Sequence, residues 1–166
     1  MKKSMILVGV LIFSFVFMAS ATANYTQTLS ENQCQGVKHD PVLQFTQTPR
    51  PAADGTLTVS AIGDYSFGNS NETIEVVVEG TSLGVWNPGV QCGSGLLTKT
   101  YTVTKSQLLQ WSADGNIEVT LIQGSSVDCF CGNEINIVTL DYPTASSSLP
   151  MQQFMKILGL GNKDKE

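Results

Sequence analysis

The sequence predicts an all-β protein: an antiparallel two-sheet β-sandwich, jelly-roll-like, with one short helix crossing an end of the sheets. Three observations carry this. Residues 72–80, ETIEVVVEG, alternate Ile74, Val76 and Val78 against Glu75, Val77 and Glu79, the period-2 pattern of a strand with one face in a core. Six other short segments repeat that alternation, with turn signals between them. Nothing between the strands alternates with them as the helices of βαβ units do. The unequal strand spacing fits a two-sheet jelly roll better than a closed barrel.

The chain opens on Lys2 and Lys3, an apolar run over 5–18, and Ala21-Thr22-Ala23, the small-x-small pattern of a signal-peptidase site. Residues 1–23 are therefore expected to be a signal peptide cut after Ala23, and the product secreted to an extracellular or periplasmic space. The apolar run is too short for a membrane-spanning helix, and an uncleaved anchor is the alternative. The first cysteine after the run is Cys34, so no lipoprotein cysteine follows it. Cleavage removes two lysines from a chain whose formal charge is already −5. An acidic surface excludes nucleic acid and anionic membrane as partners, because it releases no counterions from them. The rest of the chain contains no transmembrane-length segment.

In chain order, residues 24–40 are polar, contain Cys34 and read as an irregular N-terminal arm. The sandwich domain is expected over 41–143. Its first strand is 41–48, where Leu43 and Phe45 alternate with polar residues; Pro49, Pro51 and Asp54-Gly55 then turn the chain. Strand 56–62 points Leu57, Val59 and Ala61 inward, loop 63–71 follows, and strand 72–80 leads through a turn at Gly80-Thr81 into strand 81–86. Residues 87–95, NPGVQCGSG, are loop, and 97–103 alternates again. Thr104 is a good helix N-cap, so 104–112 is expected to form one or two helical turns with Trp111 inward. The last long strands are 116–123 and 134–142. Residues 144–166 form a Ser-rich linker and an amphipathic tail, with a short helix expected over 151–160. Asp-Gly opens a strand at both Ala53–Val59 and Ala113–Val119, a shared turn chemistry that would suit the same end of neighbouring strands.

Four cysteines, Cys34, Cys92, Cys129 and Cys131, suit an oxidising compartment. Alternation over 127–131 puts Cys129 and Cys131 on one face and Phe130 on the other. With Phe130 toward the core, both cysteines look outward and staple peripheral segments. Two long-range bridges are expected, one each to Cys34 and Cys92, with their assignment open. A metal site at Cys-x-Cys lacks a second close pair or a suitably spaced His.

The run from Gly55 to Tyr142 resembles a type of secreted β-sandwich module of bacterial surface and exported proteins. LTVSAIGDYS at 57–66, ETIEVVVEGTSLG at 72–84 and the ADG-strand unit at 113–121 carry the resemblance. It implies the fold and transfers no residue roles.

Three surfaces are candidates for function. Asp64, Asn69, Asn71 and Glu72 gather oxygen ligands in one loop, the chemistry that a Ca²⁺ ion requires, without the spacing of an EF-hand. Trp86, Tyr65 and Phe67 would give a sugar-stacking platform. Phe154, Ile157 and Leu158 form an i, i+3, i+4 stripe able to contact a partner. The chain has no Gly-x-Ser-x-Gly elbow, His-Glu-x-x-His, P-loop or haem-attachment motif, and His39-Asp40 is its sole His–carboxylate neighbour pair. Asn24-Tyr25-Thr26 and Asn71-Glu72-Thr73 match the N-glycosylation pattern and are expected to be chance matches. The expected function is a non-enzymatic structural or protein-interaction module of the cell surface or an extracellular assembly, acting through self-association or another surface protein. The alternative is a lectin-like, calcium-assisted carbohydrate binder; otherwise no cofactor is expected.

Overall fold

A computed structural model describes residues 23–34, 38–66, 71–92, 95–132 and 134–145. Ten strands and one helix follow in order: β1 Asn24–Asn32, β2 Val42–Thr46, β3 Gly55–Ile62, β4 Asp64–Tyr65, β5 Ile74–Val78, β6 Thr81–Trp86, β7 Val90–Gln91, β8 Leu97–Val103, α1 Lys105–Trp111, β9 Asn116–Gln123 and β10 Ile135–Pro143. Sheet one runs β1-β10-β3-β8 and sheet two β2-β9-β5-β6, with β4-β7 a separate two-stranded ribbon. All the pairings are antiparallel. Each pair within a sheet matches an early strand to a late one: β1 with β10, β2 with β9, β3 with β8, and β5 with β6 at the centre. This is the order of one long hairpin rolled into two layers, the jelly roll.

The period-2 pattern becomes the core directly. Leu57, Val59 and Ala61 of β3, Ile74, Val76 and Val78 of β5, and Ile117, Val119 and Leu121 of β9 are all at most 1% exposed. Leu43 and Phe45 of β2 and Val138, Leu140 and Tyr142 of β10 close the same cluster. The β5–β6 turn falls one residue earlier than expected, at Glu79-Gly80. Both residues have positive φ (47° and 72°), as a type I′ hairpin turn requires. Thr104 caps α1, its hydroxyl accepting from the Gln107 N–H while the Gln107 side chain reaches back to the Thr104 N–H. Leu108 and Trp111 are the buried residues of α1.

The segment expected to be an irregular arm contains a nine-residue strand. Its inward residues Tyr25, Gln27, Leu29 and Glu31 mix polar and apolar types, which hides the alternation, and its pairing with β10 supplies the order. The two Asp-Gly turns do not sit on neighbouring strands either, since β3 belongs to sheet one and β9 to sheet two. They do different work: Asp54 Oδ1 accepts from the Lys105 N–H at 2.7 Å, and Asp114 Oδ1 from the Asn116 N–H at 2.9 Å.

Cys34 is bonded to Cys129 and Cys92 to Cys131. Two long-range bridges were expected, and the pairing is now assigned. The reason given for outward cysteines is corrected: Phe130 is 78% exposed, and Val127 is the residue of 127–131 that enters the core. The Phe130 N–H bonds Asp128 Oδ1 at 3.0 Å, so the segment follows a local turn and not a strand. No helix among the described residues is long and apolar enough to cross a membrane.

Candidate functional site

The disulfides tie the β1–β2 connection and the β7 ribbon to the segment between β9 and β10. Beneath them lies a buried polar network. The Tyr65 hydroxyl donates to Gln33 Oε1 at 2.5 Å and lies 2.7 Å from Gln123 Oε1, while Asn136 Nδ2 donates to Gln33 Oε1 at 2.7 Å. Burial raises the Tyr65 phenol above its ordinary range. Tyr65, Gln33 and Asn136 are 0% exposed, so Tyr65 cannot stack on a sugar, and that part of the expected platform is withdrawn. An aromatic residue in a Gly- and Asn-rich loop reads as surface. Here the two-residue β4–β7 pairing, invisible to periodicity, pulls it under the loops. Trp86 is partly buried and packs against the core cluster. Phe67, Asn69, Phe154, Ile157 and Leu158 lie outside the described residues.

The acidic loop does gather. Asp64 and Glu72 are buried (7% and 8% exposed), and Glu72 Oε2 accepts from the Ser66 N–H. Asp128, outside the expected set, brings its carboxylate close enough to act on Asp64. The Asn71 carbonyl holds the same neighbourhood, accepting from the Ser126 N–H at 3.3 Å. Burial first, then the charges of Glu72 and Asp128, raise the Asp64 carboxyl above its usual 3.8. A carboxyl whose folded pKa is raised loses stability as pH climbs from its unfolded value through its folded one, and the loss persists above. Asp64→Asn, which keeps the shape, is therefore expected to raise the melting temperature at neutral pH, with the gain vanishing below pH ~4. Thermal melts in chelator check this. A Ca²⁺ titration then reads on the same group, because a cation held there would stabilise the wild type more than Asp64→Asn.

Cys34, Cys129 and Glu134 also lie close together, but both sulfurs are spent in the disulfide. His39 Nε2 is 3.2 Å from Glu31 Oε1, so its carboxylate partner is Glu31 rather than the adjacent Asp40.

The most regular surface is the outer face of sheet one. Registry lines its residues into rows across all four strands: Thr26-Asp141-Thr56-Thr102, Thr28-Thr139-Thr58-Thr100 and Ser30-Ile137-Ser60-Thr98. Ten of these twelve positions carry a hydroxyl and one carries a charge, so the face is polar yet nearly neutral. Thr26 donates to Asp141 at 2.8 Å, and hydroxyls meet at Thr28–Thr139 (2.9 Å), Thr58–Thr100 (3.2 Å) and Ser60–Thr98 (2.8 Å). Strand geometry spaces such groups about 4.8 Å across the sheet and about 7 Å along it. A shallow depression of about 270 Å³ at one end of the face is lined by Asn24, Asp54, Thr56 and Asp141. Sheet two differs: its outer face mixes exposed Val42, Val85 and Ile122 with Gln44, Glu75 and Glu118.

The signal for this face was present in the sequence as Thr56-x-Thr58-x-Ser60, Thr98-x-Thr100-x-Thr102 and Thr26-x-Thr28-x-Ser30. Only the strand order shows that the three runs and β10 share one surface. No protein-family model matches the chain, and no curated protein matches its sequence.

Proposed function

We propose that the chain is an exported, non-enzymatic module with a structural or interaction role in a surface or extracellular assembly, making contact through the outer face of sheet one. The observation that carries this is the three-row hydroxyl array. Ser60 is buried, and the nine other hydroxyl residues with one carboxylate leave the face donors and acceptors with little charge to desolvate, which suits a neutral, hydrogen-bonding partner. Two disulfides suit an oxidising location.

The second reading, carbohydrate binding, is favoured by the same chemistry, since threonine hydroxyls pair with sugar hydroxyls as donor and acceptor. It rests on an extended hydrogen-bonding face and no longer on an aromatic platform built from Tyr65.

Thr58→Glu combined with Thr139→Lys tests the face. The two positions are directly opposed, so the new charges pair and the sheet keeps its stability while long charged side chains fill the centre of the array. Retention on cell-surface material is expected to fall about tenfold or more, with the melting temperature little changed. Unchanged retention would sink the proposal. Retention of the wild type on a pure neutral polysaccharide would select the carbohydrate reading, and retention only on protein-bearing material the first.

A further inference from the structure

We infer that β1 is a docking edge for a second copy of this chain, paired antiparallel about a two-fold axis through Thr28, so that the first sheets of two molecules run on as one. The sandwich has four edge strands: β1 and β8 in sheet one, β2 and β6 in sheet two. Open edges invite pairing, and proteins block the ones that must stay single with short strands, prolines, bulges or inward-pointing charges. β2, β6 and β8 carry such features. β2 has only five residues, follows Pro41, is followed by Gln47 with φ 56°, and has its Val42 N–H taken by Glu31 Oε2 at 3.2 Å. The β5–β6 pairing has a register break at Val76/Val77, and Gly84 of β6 has φ 116°. β8 places Lys99 on the inner side of the sheet, opposite Val59, with its ammonium 5.1 Å from the Tyr101 ring centroid.

β1 carries one such feature, the inward-pointing Glu31, and neither a proline nor a register break. It is nine residues long. Its one charge, Glu31, is held by His39 and Val42. The Thr144 N–H bonds the Ala23 carbonyl at 2.7 Å, which sets the phase of the ladder. Odd-numbered residues of β1 therefore bond to β10, and the backbone groups of Asn24, Thr26, Thr28, Ser30 and Asn32 point away from it. Among the described residues no strand hydrogen-bonds β1 through its backbone on that side, although β2 approaches its end where the Val42 N–H meets Glu31.

Pairing about Thr28 uses all five of these residues. Asn24 meets the partner's Asn32, Thr26 meets the partner's Ser30, and Thr28 meets the partner's Thr28. Any other register shortens the overlap. It is self-complementary, as a two-fold interface must be. It sets hydroxyl against hydroxyl on the outer face and Tyr25 beside the partner's Glu31 on the inner, with no like charges opposed. The Thr28 row then continues into its copy, doubling the hydroxyl array. The inference goes beyond the proposed contact face and does not depend on its ligand.

The test uses the secreted protein as recovered, with both disulfides formed. Light scattering from micromolar to near-millimolar concentration is expected to show the molar mass doubling. Thr28→Pro is expected to hold the protein monomeric throughout, because that position gives up only an outward N–H and keeps the ladder to β10. Thr28→Cys is expected to form a disulfide-linked dimer on mild oxidation, the two Cα atoms lying about 5.5 Å apart in a hydrogen-bonded pair. Thr26→Cys alone is expected not to, and Thr26→Cys with Ser30→Cys is. A monomer at every concentration, a dimer that survives Thr28→Pro, or cross-linking at 26 but not at 28 would each overturn the inference. If Thr28→Pro does not fold, the cysteine variants decide alone. The face variant at 58 and 139 leaves β1 untouched, so loss of ligand contact and loss of the dimer are read separately.

Discussion

Replacing Cys34 and Cys129 together with alanine is expected to lower the unfolding free energy by about 4 to 5 kcal/mol. The bridge closes a loop of 95 residues. On the chain-entropy account it acts by narrowing the unfolded ensemble, and the effect grows slowly with loop length. Cys92–Cys131 closes a loop of 39 residues and is expected to contribute about 4 kcal/mol, slightly less. Against a typical domain stability of about 5 to 15 kcal/mol, either loss is a large fraction, and removal of both is expected to leave the chain unfolded at 37 °C. Urea denaturation of the two double variants checks the order. If the shorter loop proved the costlier to open, native contacts would outweigh chain entropy at that end of the sandwich. The buried network of Gln33, Tyr65, Gln123 and Asn136 is where those contacts would lie.

Trp111→Ala is the second large expected effect, a loss of about 3 to 5 kcal/mol. Trp111 is 4% exposed and Leu108 0%, three positions apart on the same side of α1. These two side chains anchor the helix in the core cluster. Removing the indole deletes its burial and leaves a cavity whose walls, the surrounding strands, cannot collapse to fill it. Leu109, 36% exposed on the same helix, is the control, and Leu109→Ala is expected to change stability by less than about 0.5 kcal/mol. Urea midpoints with an unchanged slope would assign the difference to stability itself and not to a change in the unfolded state.

The fold was legible wherever side-chain type and burial agree locally. Leu57, Val59 and Ala61 were readable as inward because each sits between residues that water tolerates, and the same holds for Ile74, Val76 and Val78. The helix was readable from its cap. Legibility failed where a strand's inner face is polar. β1 alternates in the structure, but Gln27 and Glu31 occupy inner positions, so hydrophobicity carries no period there. It also failed at β4 and β7, which are two residues each and shorter than any period that could reveal them.

For the candidate sites the division is sharper. Asp64 and Glu72 were visible as a pair because they are near in sequence. Asp128 joins them only because the β9–β10 connection folds over their loop. Tyr65 and Phe130 exchanged their expected environments for the same reason, as loop residues whose exposure is set by what lies above them.

The sequence by itself determined which segments with an apolar period-2 pattern are strands, which side of most of them faces the core, where the helix begins, and that four cysteines would form long-range bridges. The first three follow from local periodicity and capping; the bridges were expected from a facing of Phe130 that its exposure corrects. Only the tertiary structure decided which strands lie side by side, hence that Thr28, Thr139, Thr58 and Thr100 form one row, that Cys34 reaches Cys129, and that β1 ends its sheet among the described residues. Those outcomes depend on contacts between residues as far apart as Thr26 and Asp141, which are 115 positions distant in the chain, and no local pattern records which distant partner a strand will find.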